Sequence, residues 1–200
     1  DQKNTVSEVP FEFDQEKLSK VITSQANYIH LTIPGLNGRD VDMELIKVNL
    51  FAPNFKVTVD MEGIKEEMDE DFSNSIFYRG IANGEENSLV ALSLFEGKMV
   101  GFINSSSAGN IGIRQNADGI QVLQNLNSLS HQELSCSTKD DGQGYASEML
   151  EAPKTSEKNA GDYVSVFVEV ENDLTDQLGG VSQAITYMTD LFNETAAIYA

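Results

Sequence analysis

Between Tyr28 and Val122 the chain breaks into short runs of β-branched and aromatic residues, punctuated roughly every ten residues by turn formers. This punctuation constrains the fold more than any other feature. The runs are Tyr28–Ile33, Val41–Leu50, Phe55–Val59, Ser75–Ile81, Ser88–Phe95, Met99–Ile103, Asn110–Arg114 and Gly119–Leu123. Val41, Met43 and Leu45 alternate with polar residues, as do Phe55, Val57 and Val59, which is the period of a half-buried strand. The connectors include Pro34-Gly35, Asn83-Gly84, Glu96-Gly97, Ser105-Ser106-Ser107 and Asp118-Gly119. Such residues suit tight turns, several of them with positive backbone dihedrals. No helical crossovers separate the runs, which disfavours a doubly wound parallel sheet. The expected fold class is mainly β, an antiparallel meander of seven or eight strands.

Helical patterns flank the meander. Over residues 14–27, Leu18, Val21 and Ile22 have helical spacing behind Asp14, a good N-cap. Residues 137–161 form a linker, poor in apolar residues and rich in Gly, Ser, Lys and Glu. Beyond it, Tyr163–Val170 (YVSVFVEV) reads as a strand with Val164, Val166, Val168 and Val170 on one face. From about Gly180 a helix is expected. Val181, Ala184, Ile185, Met188, Leu191, Phe192, Thr195, Ala196 and Tyr199 fall on one wide apolar stripe. One strand and one helix cannot bury both faces, so this segment calls for a core elsewhere. The expected organisation is a β domain over 1–136, a linker over 137–161, and the truncated α/β start of a second domain over 162–200. The chain starts at Asp1 without a signal segment and stops at Ala200 inside the helical pattern. It is therefore expected to be a piece of a longer polypeptide.

Charge narrows the partners. There are 13 Lys+Arg against 32 Asp+Glu, a net charge of −19. Nucleic acid is disfavoured, because phosphate binding needs a basic face. Anionic membrane surfaces are disfavoured for the same reason, and no apolar run is long enough for membrane insertion. Residues 60–71 hold seven acids and one lysine and read as a solvated turn or short helix. Calcium-loop spacing is absent there, which leaves an acidic ion-binding domain resting on charge alone.

Little in the chain can carry catalysis. No phosphate loop, His-Glu-x-x-His helix or Gly-x-Ser-x-Gly elbow occurs. His30 reads as a residue on the polar face of a strand. His131 lies five residues before Cys136, but a catalytic pair is defined in space, not by sequence proximity. Cys136 is the only cysteine, so no internal disulfide forms. A lone cysteine is commonly a small buried hydrophobe. Its neighbours Ser135, Ser137, Thr138, Lys139, Asp140 and Asp141 are polar, so an exposed thiol is expected. One use for such a thiol is to ligate zinc held by another domain.

Three stretches resemble the propeptide and first catalytic residues of reprolysin-type (adamalysin, ADAM-like) metzincin metallopeptidases. They are YIHLTIPGLNGRDVDMELIKVNLFAPNF (Tyr28–Phe55), FYRGIANGEENSLVALSLFEGKMVGFI (Phe77–Ile103) and the segment Asp162–Ala200. The last is similar to the opening strand and helix of the catalytic domain. The resemblance implies a secreted or cell-envelope zymogen whose propeptide assists folding and keeps the protease latent. Cys136 would be the cysteine switch, its thiolate capping the catalytic zinc, and the principal partner would be the chain's own downstream catalytic domain. The zinc-binding helix is not among these residues, so the fragment itself would be inactive. The sequence departs from the family in three ways. Ser137 stands where glycine is usual after the switch cysteine. Ile76 and Phe95 stand where many relatives have cysteines, so an apolar contact between them is expected instead. No Arg-x-x-Arg site precedes the catalytic start, leaving Lys154 and Lys158 as processing candidates. The alternative is a stand-alone β-rich extracellular binding module in which Cys136 is incidental. Asn104 and Asn193 open glycosylation triplets, and only Asn104 lies near an expected turn.

Overall fold

Alternation along Val41–Val48 becomes a strand with Val41, Met43 and Leu45 buried and Asp42, Glu44 and Ile46 outward. The computed structural model describes residues 8–61, 64–68, 72–129 and 166–199. Contacts divide the chain into one unit of Asp1–Leu129 with Val170–Ala200 and a second of Ser130–Glu169. The strands and helices named below all lie in the first.

The strands are β1 (Glu8–Pro10), β2 (Tyr28–Ile33), β3 (Val41–Val48), β4 (Val57–Met61), β5 (Ile64–Met68), β6 (Ser75–Ala82), β7 (Leu89–Phe95), β8 (Lys98–Ser105), β9 (Gly109–Gln115) and β10 (Gln121–Asn125). The helices are α1 (Gln15–Ser24), α2 (Asn172–Leu178) and α3 (Val181–Ile198). An eight-stranded sheet has the order β1-β10-β9-β8-β7-β6-β3-β2, and every pairing in it is antiparallel. The mainly β, antiparallel expectation holds for the described residues, and the run from β6 to β10 is a true meander.

Two details depart from it. Residues 55–59 were expected in the meander, yet β4 pairs only with β5 in a separate two-stranded sheet. The acidic stretch over 60–71 thus supplies a strand rather than a bare turn or helix. Thr58 faces Glu67 and Val59 faces Glu66 across the ladder, and Lys56 reaches Glu67 at 2.7 Å. Phe51, Phe55 and Phe72 stack at the base of this insertion and join Phe77 on β6 (centroids 4.1 Å for Phe51–Phe72, 5.5 Å for Phe51–Phe77). Second, of the strand expected over Tyr163–Val170, residues 163–165 lie outside the described residues and 166–170 form no strand. A two-residue period permits a ladder but does not supply a partner edge, and Phe167 is left 88% exposed.

One face of the sheet carries the main core: Ile33, Met43, Leu45, Ile76, Tyr78, Val90, Leu92, Ile103, Ile111, Ile113 and Leu123. α1 closes it with Leu18 and Ile22. Burying two such side chains is worth about 1.5–3 kcal/mol each. Asp14 caps α1, accepting from the backbone N–H of Glu16 at 3.0 Å and of Lys17 at 3.1 Å. Gln25 ends it in the left-handed conformation and ties it to the Ser75 carbonyl. Register also corrects the expected contact between Ile76 and Phe95. Ile76 pairs with Leu94 and Ser75 with Phe95, so the two side chains leave opposite faces of the sheet. Ile76 enters the core, and Phe95 packs edge-on against Phe77 at 5.9 Å.

Candidate functional site

The second face of the sheet receives α3. Register places Arg79 (β6), Ala91 (β7), Phe102 (β8) and Gly112 (β9) in one row on that face, with Phe77, Ser93 and Val100 in the next. Arg114 on β9 and Lys98 on β8 share the face. Arg79, Ser93 and Arg114 each meet a partner on α3.

The helix does not land on its apolar stripe. Its buried residues are Ala184, Thr189, Asp190, Asn193 and Ala197. That side is centred roughly 150° round the helix from the stripe, counting about 100° per residue. Of the stripe residues named from the sequence, only Ala184 is buried, while Leu191 and Tyr199 are exposed. Small and polar side chains make this seam, while Val181, Ile185, Met188, Phe192 and Ala196 on the apolar stripe are half-buried.

Asn193 is fully buried at 0% exposure. Its amide nitrogen donates to the Leu92 carbonyl and to Ser93 Oγ, both at 3.2 Å, and its oxygen accepts from Arg79 Nε at 3.2 Å. Burial pushes the Arg79 pKa down from its ordinary value, and the Asn193 oxygen compensates part of that desolvation. At the next residue, Arg114 holds Glu194 through both terminal nitrogens, at 2.8 and 3.2 Å. Arg114 Nη1 also donates to the carbonyls of Gly101 and Ile113. Asp190 is left with a longer contact, 3.8 Å from Arg114 Nη1, and its Oδ1 has no hydrogen-bond partner among the described residues. Burial and the Glu194 carboxylate push its pKa up to about 6, against the pull of Ser93, Arg114 and Lys98. Lys98 is held below its ordinary value, first by burial.

This cluster is built to dock a helix, not to turn over a substrate. Ser93 is fully buried, so its hydroxyl cannot meet a substrate from solvent. The two carboxylates do not suit a metal ion, because the Arg114 guanidinium fills the position between them that a cation would take. Among the described residues no group of three or more His, Cys, Asp or Glu comes together. A shallow cavity of about 270 Å³ is lined by Leu36, Asn37, Asn110, Asn125 and Asn127, but Asn110 already donates to Asn127 at 2.8 Å.

Cys136, Lys154 and Lys158 lie outside the described residues, as does His131. His30 is exposed on β2, as its strand position required. Asn104 is exposed on β8 and bonds Asn110 at 2.6 Å, whereas Asn193 is buried. Sequence reasoning passed over Arg79, Arg114, Asp190 and Glu194. Two signals were available. Arg79 and Arg114 are charges inside otherwise apolar strands. Asp190, Asn193 and Glu194 share one helix face away from the stripe. Among the described residues no helix is long and apolar enough to cross a membrane. No family model matches the chain, and no curated protein is significantly similar to it.

Proposed function

We propose that the chain is the propeptide region of a secreted or cell-envelope zinc metallopeptidase zymogen, together with the first residues of its catalytic domain. One observation carries the reading: α3 buries Asp190 and Asn193 of its polar side on the β sheet, while eight of the nine residues of its apolar stripe remain half-buried or exposed. The opening helix of a domain whose remaining elements come later in the chain needs that arrangement. The stripe is reserved for its own core, and the propeptide grips the side that the core does not use. A polar grip also releases more readily than an apolar one, since its groups are well hydrated once separated. In this reading the sheet presents the helix for folding and then covers the protease. Cys136 would offer its thiolate to the catalytic zinc, which when bound supplies Lewis-acid chemistry. The linker around Lys154 and Lys158 would be the region cut on activation.

The test has two parts. Reading the coding frame beyond residue 200 should reveal His-Glu-x-x-His-x-x-Gly-x-x-His. In the full-length proenzyme, Cys136→Ala should then raise basal proteolysis at least tenfold. A frame that closes without the motif removes the protease reading and leaves a β-rich binding module. A motif with unchanged latency removes the switch from Cys136.

A further inference from the structure

We propose that the seam between α3 and the sheet is a proton-operated latch, in which a proton on Asp190 holds the helix down and its loss toward neutral pH favours release. The geometry carries this. Asp190 is only 7% exposed and faces the sheet from the middle of α3. Glu194, one turn along, occupies both terminal nitrogens of Arg114, so two carboxylates compete for one guanidinium fork. The loser is Asp190, with its 3.8 Å contact and an Oδ1 that has no partner among the described residues. Ionised, it is a buried charge with half its acceptor capacity unmet, which is costly. Protonated, it loses the charge and gains a donor.

The groups facing Asp190 come from every element around it. Glu194 lies on α3 itself, Arg114 on β9 and Lys98 on β8, with the neutral Ser93 hydroxyl on β7. Arg79 on β6 is turned to Asn193 instead. The net effect of burial and these neighbours raises the carboxyl from 3.8 to about 6. Off the sheet the group is solvated and returns to its ordinary value. A group whose docked pKa is raised contributes its full stabilisation below the undocked value, here 3.8, and loses it as pH rises through about 6. Mild acid therefore holds α3 on the sheet, and neutral pH loosens it. The latch does not rest on the propeptide reading. If that reading holds, it adds a way for an acidic compartment to keep the helix gripped until the protein meets neutral medium.

The experiment is hydrogen exchange of the whole chain at pH 4.5 and 7.5, read in peptides covering residues 181–198 and corrected for the intrinsic pH dependence of exchange. The opening equilibrium of α3 should rise about 30-fold between the two, from the linkage relation. In Asp190→Asn the rise should shrink below threefold, with protection of the strands unchanged. A wild-type change below threefold overturns the latch, as does an Asp190→Asn variant that keeps the full pH dependence. Should that variant fail to fold, carbon-13 titration of the wild-type Asp190 carboxyl decides. A midpoint near 6 supports the proposal, and an ordinary midpoint near 4 overturns it.

Discussion

Arg79 Nε donates to Asn193 Oδ1 at 3.2 Å, joining residues 114 positions apart in sequence. The bond crosses from β6 to the centre of α3, and Asn193 spends its other polar atom on β7. A single side chain thus satisfies two strands and the helix at once. Leu92, Ser93 and Asn193 are fully buried, so water cannot substitute as a partner among them.

Asn193→Ala should lower stability by about 2–3 kcal/mol, because it removes a packed amide and leaves the Arg79 guanidinium and the Leu92 carbonyl short of a partner. Urea unfolding followed by circular dichroism measures this. A loss below about 0.5 kcal/mol would mean that the seam contributes little to the fold. Burial has a second consequence for the Asn193-Glu194-Thr195 triplet. Peptide mapping after expression in a eukaryotic secretory path should find Asn193 without glycan.

Tyr78 is fully buried and donates its hydroxyl proton to the Ala26 carbonyl at 2.8 Å. Burial pushes its pKa up to about 12 from 10.0. The neutral phenol therefore stabilises the fold fully below pH 10 and loses that contribution as pH rises through about 12. Ultraviolet titration should show Tyr78 ionising late, together with unfolding. Tyr78→Phe should cost about 1–2 kcal/mol and abolish the late phase.

Gly80 lies opposite Leu45 in the ladder between β6 and β3. A Cβ there would run into the carbonyl oxygen of Glu44, which is backbone and cannot swing aside. Gly80→Ala should therefore cost about 2–4 kcal/mol. Gly84, in the hairpin after β6, has open space around it and a positive φ of 66°. Gly84→Ala should cost only about 1 kcal/mol. Thermal melts of the two variants test the contrast, and equal losses would contradict the clash at Gly80.

The helix α1, its Asp14 cap and most strands were legible because each follows from local rules: a period, a cap, a turn pair. β1 was not legible. Glu8–Pro10 is three residues long, shows no alternation, and exists only because β10 offers it an edge. The reverse error occurred at Val166–Val170, where alternation is strong and no edge is offered. Ile76 and Phe95 teach the same lesson within a hairpin. Both strands were read correctly, yet a one-residue difference in register sends the two side chains to opposite faces.

The sequence by itself determined that this chain makes an antiparallel sheet with a capped helix before it and a long helix at residues 181–198. Those features depend on neighbours a few positions away, whose spacing is visible in one dimension. Tertiary structure alone decided which side of that long helix is gripped. Periodicity pointed to the apolar stripe, but the sheet face presents Arg79, Ser93 and Arg114, and these charges and dipoles need partners where the helix covers them. Asn193, Asp190 and Glu194 meet that need. Their pairing spans roughly a hundred residues, so no local pattern could announce it, and it turns the helix away from the face its hydrophobicity would have chosen.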